Sequence, residues 1–308
     1  MISKSEIQSV LVKLGDSFNA SNEALNEAIQ KTYYENNWLT AESYWQAINH
    51  WKSILYTENL EIFSASYAFT SVPKKIGLIM AGNIPMVGFH DLLCTLLSGH
   101  IAVVKPSSDD KYVMLYIVDF LVTNGLIDRI HIVERLDSID AVIATGSNNS
   151  FRYFQHYFKH IPNLLRKNRK SIAVLDGSES DEDLNNLAHD VFKHYGLGCR
   201  NVSFLYLPKN MDIVRILDHF MTYKELSNHN KYANNYTYHR AILLMNGEQH
   251  LDTGFVLPKE RLDIHAPLAC LNYAFYNSLG EVDEFVEKNT DEISRLRSLV
   301  QQMTKGQG

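Results

Sequence analysis

The chain of 308 residues is 45% hydrophobic and 21% charged, with 29 basic against 35 acidic side chains and a formal charge of −6. This excludes a mostly disordered chain, which needs few apolar residues and high net charge, and argues against a general nucleic-acid binder, which needs a basic surface. The length suffices for two domains, or for one with an appendage, and the three cysteines, Cys94, Cys199 and Cys270, are too widely spaced for a disulfide framework or a zinc cluster, fitting a reducing compartment.

The start of the chain, Met1 to Glu6, has neither the apolar core nor the small-residue cleavage site of a signal peptide, so a cytoplasmic protein is expected. Residues 1–70 read as helical. Ile7, Val10, Leu11 and Leu14 follow the three-four spacing, as do Ala24, Leu25, Ala28 and Ile29. Tyr33, Trp38, Tyr44, Trp45, Ile48 and Trp51 add an aromatic stripe expected in a helix–helix core.

Pro73 opens a different regime. Residues 76–104 contain one acid, Asp91, and no Lys or Arg. A membrane span is disfavoured by Gly77, Gly82, Asn83, Pro85 and Gly88, by Asp91 in the middle, and by His90 and His100. The stretch reads instead as a buried strand over Ile76–Met80, the turn Ala81-Gly82-Asn83-Ile84-Pro85, a helix to about Ser98 ended by Gly99, and a strand over Ile101–Val104. Beyond the loop Lys105-Pro106-Ser107-Ser108, a helix is expected over Tyr112–Thr123, with strands at Ile130–Val133 and Ala141–Ala144. Thr145-Gly146-Ser147 leads into a helix with Phe151, Phe154, Tyr157 and Phe158 on one face, and a strand follows at Ile172–Leu175. The basic run Arg166-Lys167-Asn168-Arg169-Lys170 reads as a solvated loop. Strands alternating with helices indicate a parallel, doubly wound sheet.

From Gly177 the pattern shifts again. An acidic capping segment, Ser178–Asp183, precedes an amphipathic helix carrying Leu184, Leu187, Ala188, Val191, Phe192 and Tyr195, which Gly196 stops. Then come Leu197-Gly198-Cys199-Arg200 and a strand over Val202–Leu207. Helices are expected near 212–222 and 226–235, strands near Ala241–Met245, Gly254–Leu257 and Cys270–Tyr276, and helices near 281–303. The predicted division is a helical segment 1–70, a nucleotide-binding domain 71–176 and a catalytic domain 177–308.

Parallel sheets bind ligands at the carboxyl ends of their strands, where helix N-termini offer free N–H groups to phosphate. Gly82-Asn83, Lys105-Pro106-Ser107 and Thr145-Gly146-Ser147 all fall at such ends. Each alone is ordinary strand punctuation; three on one edge favour a nucleotide site. The Gly-x-Gly-x-x-Gly fingerprint is absent. Cys199, in a glycine-flanked turn beside Arg200, is either a nucleophile activated by a neighbouring cation or a structural thiol. Cys94, in a helix, and Cys270, in an apolar strand, read as core thiols. Of the 13 histidines, His156 and His160 have i, i+4 spacing without an acid between them, so no metal site is expected; His194, five residues before Cys199, cannot be assumed to reach it and leaves a Cys-His dyad as a weak alternative.

The order of Val72-Pro73, Gly82-Asn83-Ile84-Pro85, Val104-Lys105-Pro106-Ser107, Ala144-Thr145-Gly146-Ser147 and Gly198-Cys199 resembles the aldehyde dehydrogenase superfamily, over about residues 70–290. It is most similar to the acyl-CoA reductase branch typified by LuxC fatty-acid reductases. The resemblance implies an α/β fold with a Rossmann-like nucleotide domain and a catalytic domain carrying a cysteine nucleophile. It implies that Cys199 takes an acyl group from an acyl-CoA or acyl-carrier thioester, and that a nicotinamide then supplies hydride to give the aldehyde. By the same resemblance, Asn83 and the Cys199 backbone N–H stabilise the oxyanion, Lys105 and Ser107 lie at the adenosine ribose or its 2′-phosphate, and Thr145, Gly146 and Ser147 hold the pyrophosphate. Asp263, in Asp263-Ile264-His265-Ala266-Pro267, matches a ribose-binding glutamate.

Departures from the superfamily pattern sharpen the expectation. The glutamate that hydrolyses an acyl-enzyme in oxidising members aligns with Arg166-Lys167-Asn168-Arg169, which has no carboxylate, so reduction or transfer is favoured. Ser108 replaces a glutamate that repels a 2′-phosphate, which makes NADPH the expected cofactor and NADH the weaker alternative. The chain is shorter than is usual for the superfamily; a homo-oligomer is compatible with the reading. The rivals are NAD(P)-dependent aldehyde oxidation and a non-catalytic nucleotide-binding relative.

Overall fold

A computed structural model describes residues 2–65 and 68–298. The chain divides into two compact units, residues 1–168 and 169–308.

The first unit begins with helices α1 (Lys4–Ser17), α2 (Glu23–Glu35), α3 (Ala41–Ile54) and α4 (Thr57–Ser64). Polar side chains start the first three where free N–H groups need partners: Ser3 and Glu6 form a capping box, and Asn22 and Thr40 cap α2 and α3. The expected apolar stripes are buried apart from Ala24, which is exposed, with Ile7, Leu11, Leu14, Leu25, Tyr44 and Ile48 sealed. Tyr33 departs from the expected aromatic core: it is 42% exposed, because α2 buries Leu25, Ala28, Ile29 and Thr32 and turns Tyr33 aside.

The strands of this unit are β1 (Lys75–Ile79), β2 (Ile101–Lys105), β3 (Ile130–Ile132), β4 (Ala141–Thr145) and β5 (Asn163–Arg166), in the order β3-β2-β1-β4-β5. Every pair is parallel. Helices α5 (Phe89–Leu97), α6 (Lys111–Leu121) and α7 (Asn148–Phe158) make crossovers. One core joins the N-terminal helices to this sheet through Leu78, Ala102 and Val104 and the inner faces of α5 and α6. No helix of the described residues is long and apolar enough to cross a membrane. On α7 the expected aromatic face is only partly packed, with Tyr157 65% exposed.

The basic run 166–170 is the expected loop only at 167–169, and its two ends belong to strands. Arg166 ends β5 and bonds the buried carboxylate of Asp91, while Lys170 begins the next strand. Arg166 is there because Asp91, on the largely buried helix α5, needs a cation to remain charged.

The second unit has its own parallel sheet, β10-β6-β7-β9-β8, built from β6 (Lys170–Val174), β7 (Val202–Pro208), β8 (Leu257–Glu260), β9 (Cys270–Tyr276) and β10 (Ile293–Ser298). Its helices are α8 (Asp181–Phe192), α9 (Ile213–Phe220), α10 (Asn230–Met245) and α11 (Leu279–Lys288). β9 occupies the expected residues. Ala241–Met245, expected as a strand, is the last part of α10; Leu244 and Met245 are exposed there, and a five-residue apolar run cannot by itself separate strand from helix. The strand expected at Gly254–Leu257 instead starts at Leu257. The helix expected to run from 281 to 303 stops at Lys288, where the Asn289 N–H bonds back to Phe285, and β10 follows. Residues 299–303 of that expectation lie outside the described residues.

Candidate functional site

In the first sheet β2, β1 and β4 are neighbours, and the chain reverses its direction of winding between β1 and β4. Ile79 is in register with Lys105 on one side and Ala144 on the other. Because the strands are parallel, the segments after β1, β2 and β4 all leave from one edge. The fold therefore brings Gly82, Asn83, Lys105, Ser107, Thr145, Gly146 and Ser147 to the carboxyl edge at the switch point, where open α/β sheets bind ligands.

Each turn has a local reason for its sequence. A Cβ on Gly82 would lie 2.5 Å from Ser107 Oγ and 2.9 Å from the Asp110 backbone nitrogen, so only glycine lets the first two turns close on one another. A Cβ on Gly146 would lie 2.9 Å from the Ser150 Cβ. Ser147 caps α7, accepting from the Ser150 N–H at 3.2 Å, and so sets the start of a helix whose first N–H groups can receive an anion. Ser107 Oγ accepts from the Asp109 N–H at 3.2 Å, which folds the loop after β2, and Lys105 is exposed at the end of its strand. A glycine-lined edge, a helix N-terminus and an exposed lysine form a donor set suited to a dinucleotide. Asp110, fully buried, accepts from the Tyr44 hydroxyl at 2.5 Å and the Met86 N–H at 2.7 Å.

Cys199 stands in the second unit, on the loop between α8 and β7, and is exposed. The chain enters this loop through a tight turn in which His194, Tyr195 and Gly196 all have positive φ (50°, 59° and 75°). Two of these are not glycine, so the surroundings must hold them there. Asn201 contributes much of that hold: its amide donates to the carbonyls of Asp190 (2.8 Å) and Lys193 (2.9 Å), and its Oδ1 accepts from the Gly198 N–H at 2.8 Å. Ser171 on β6 donates to the Cys199 carbonyl at 3.1 Å.

Charge near the thiol comes from an unexpected direction. Burial lowers the Lys170 pKa, and interaction with Cys199 acts in the opposite sense, so the two side chains sense each other. Burial depresses His194 to about 4, leaving it neutral at physiological pH. Cys94 and Cys270 are half-buried; burial raises Cys270 to about 11, and the Cys94 sulfur lies 3.7 Å from His90 Nδ1.

Asp263 also lies in the second unit, apart in sequence and unit from the cluster on the first sheet. Its carboxylate accepts from the His265 N–H at 2.9 Å and faces Arg261 at 3.2 Å. Among the described residues no group of three or more His, Cys, Asp or Glu side chains could hold a metal. Sequence reasoning missed Asn201, Lys170 and Asp110. Lys170 was concealed within a basic run, and the partners of Asp110 are far away in the chain.

Residues 58–216, just over half of the chain, match the family described as acyl-CoA reductase (LuxC). Solved structures of similar fold include a putative aldehyde dehydrogenase from Burkholderia cenocepacia, 14% identical, with a TM-score of 0.70 over 93% of this chain and 73% of that one. An NAD-dependent aldehyde dehydrogenase from Sinorhizobium meliloti is 12% identical, with a TM-score of 0.71 over 96% of this chain and 74% of that one. The aldehyde dehydrogenase from Bacillus cereus in its NAD+ complex is 13% identical, with a TM-score of 0.68 over 98% and 73%. At these identities the likeness establishes the fold, which is the aldehyde-dehydrogenase-like architecture expected from the motifs. No curated protein sequence matches this chain.

Proposed function

This chain belongs to the acyl-CoA reductase (LuxC) family, and from that premise we propose that it reduces an acyl thioester, carried by CoA or a carrier protein, to an aldehyde with NADPH, holding the acyl group on Cys199. The observation that carries the reading is the exposed Cys199 thiol on a loop held by Asn201 and Ser171, within the residues that match the family.

In this reaction the Cys199 sulfur attacks the thioester carbonyl, the bond to the carrier sulfur breaks, and the carrier leaves as its thiol. We assign to the Asn83 amide and the Cys199 N–H the stabilisation of the oxyanion in the tetrahedral state, an effect that acts through groups oriented in advance. Lys170 is the cation that interacts with Cys199, in the sense that raises the Lys170 pKa against the lowering by burial. NADPH held by the residues assigned to it would supply hydride to the acyl carbonyl. Release of the aldehyde breaks the carbon–sulfur bond, and the electron pair returns to Cys199 as the thiolate, which takes a proton from water to restore the thiol.

Lys105 and Ser107 are assigned to the adenosine ribose and its 2′-phosphate, Thr145, Gly146 and Ser147 to the pyrophosphate, and Asp263 to a ribose hydroxyl. Exposed Ser108, where a carboxylate would repel a 2′-phosphate, supports NADPH over NADH. The absence of a carboxylate in 166–169 supports reduction over hydrolysis.

The test is incubation with radiolabelled acyl-CoA followed by NADPH. Wild type should acquire label and release it as aldehyde, and Cys199→Ala should acquire none. Equal labelling of the two proteins, or no aldehyde, overturns the reading.

A further inference from the structure

Asp110 stands at the N-cap position of α6, where an aspartate ordinarily accepts from the first turn of its own helix. It makes no such bond. Its carboxylate turns inward, to the Tyr44 hydroxyl of α3 and the backbone N–H of Met86. Burying a carboxylate is unfavourable, and burial pushes this one up to about 7. A carboxylate held in that state makes strong, short hydrogen bonds and fixes whatever donates to it.

The donors show what is fixed. Met86 is buried with a φ of 57°, a conformation a side chain other than glycine adopts only when its surroundings impose it. It ends the turn Gly82-Asn83-Ile84-Pro85-Met86. At the other end, the Asp110 backbone nitrogen is one of the atoms that crowd Gly82, lying 2.9 Å from where a Cβ would stand. Asp110 thus meets both ends of the turn, by backbone at Gly82 and by carboxylate at Met86, and Asn83 lies between them. Tyr44, fully buried, anchors the carboxylate to the N-terminal helices.

We propose that Asp110 is a positioning residue, holding the 82–86 turn in the conformation that presents the Asn83 amide to the developing oxyanion. The proposal rests on the role assigned to Asn83 above. It gives the N-terminal helices a part in the chemistry, since Tyr44 of α3 closes the chain of contacts.

The test measures single-turnover acylation of Cys199 in the full chain, read as CoA release from acyl-CoA without NADPH. Asp110→Asn should slow acylation by roughly 10- to 100-fold, with the KM for acyl-CoA changed less than about threefold, as expected when a reacting group is misplaced while binding is kept. Tyr44→Phe, which keeps the ring and removes only one donor, should slow the step in the same direction by less. Asn83→Ala should slow it, and Asp110→Asn added to Asn83→Ala should slow it little further, because both act through one amide. A fully additive double variant overturns the proposal, as does an Asp110→Asn protein that acylates at the wild-type rate or loses rate only through KM. If Asp110→Asn does not fold, Tyr44→Phe in the same cycle decides the matter. An Asn83→Ala protein with normal acylation removes the assigned role of Asn83, and a Cys199→Ala protein that still releases CoA removes the reading of function itself.

Discussion

One terminal nitrogen of Arg166 lies 2.8 and 2.7 Å from the two carboxylate oxygens of Asp91, joining β5 to α5. Asp91 is buried, so removing the guanidinium strands its charge. A fully buried pair loses about 3–5 kcal/mol on such a change, but Arg166 is 41% exposed and solvent screens part of the interaction. Arg166→Met should therefore lose about 2 kcal/mol of unfolding free energy in urea. A midpoint unchanged from wild type would show that the pair does not stabilise the fold.

The neighbour of that pair, His90, gives the stability a pH dependence of known sign. Hydrogen bonds to Asp91 and Cys94 raise its pKa from 6.5 to about 9. A folded-state value above the unfolded one means that protonation stabilises the fold below 6.5, and that this contribution is lost as pH rises through 9. His90→Gln should flatten the decline in stability between pH 6.5 and 9. A decline of the same steepness in wild type and variant would assign it to other groups.

The three cysteines should separate by reactivity. Cys199 is exposed, whereas Cys270 is half-buried with its thiol pushed up to about 11 by burial. Limited iodoacetamide treatment at pH 7.5, followed by peptide mass spectrometry, should find Cys199 alkylated well before Cys270. Cys94 should fall between them, half-buried but beside the His90 imidazolium. Faster labelling at Cys270 than at Cys199 would contradict this order.

Gly82→Ala places a carbon 2.5–2.9 Å from Ser107 and the Asp110 backbone, closer than real contacts allow. The two turns must separate, at a cost of about 1–3 kcal/mol typical of overpacking. Both the thermal midpoint and the rate of Cys199 acylation should fall. Activity and midpoint matching wild type would mean that the turns are not in close contact in solution.

Ser108→Glu puts a carboxylate where Ser108 is assigned to tolerate a 2′-phosphate. The kcat/KM for NADPH should fall by about tenfold or more, on the order of 1.4 kcal/mol, while that for NADH changes little. An equal loss with both cofactors would place Ser108 away from the 2′ position.

What the sequence disclosed follows from how local each feature is. β2 and β9 are largely apolar runs and were legible within a residue, and the acidic segment Ser178–Asp183 was legible as the capped start of α8. β5 carries only two apolar residues and leaves Leu164 exposed, so it has no strand signature. β10 was absorbed into the preceding helix because its alternation of Ile293, Arg295 and Leu296 is weak beside the strong pattern of α11. The turns at Gly82, Lys105 and Thr145 were legible as punctuation, and parallel pairing assembles them on one edge. Asp110 was not legible, because its partners stand 66 and 24 residues away and one of them is a backbone N–H.

The pairing of β10 with β6 also bears on how the chain is made. β6 opens the second unit, yet the strand that covers its outer edge comes from residues 293–298. While a ribosome is still delivering the intervening chain, Lys170–Val174 offers a row of unpaired backbone groups beside a buried apolar run. A nascent chain stalled before residue 293 would leave that edge open to a second stalled chain, so the second unit has most need of a chaperone in the interval before its last described strand arrives.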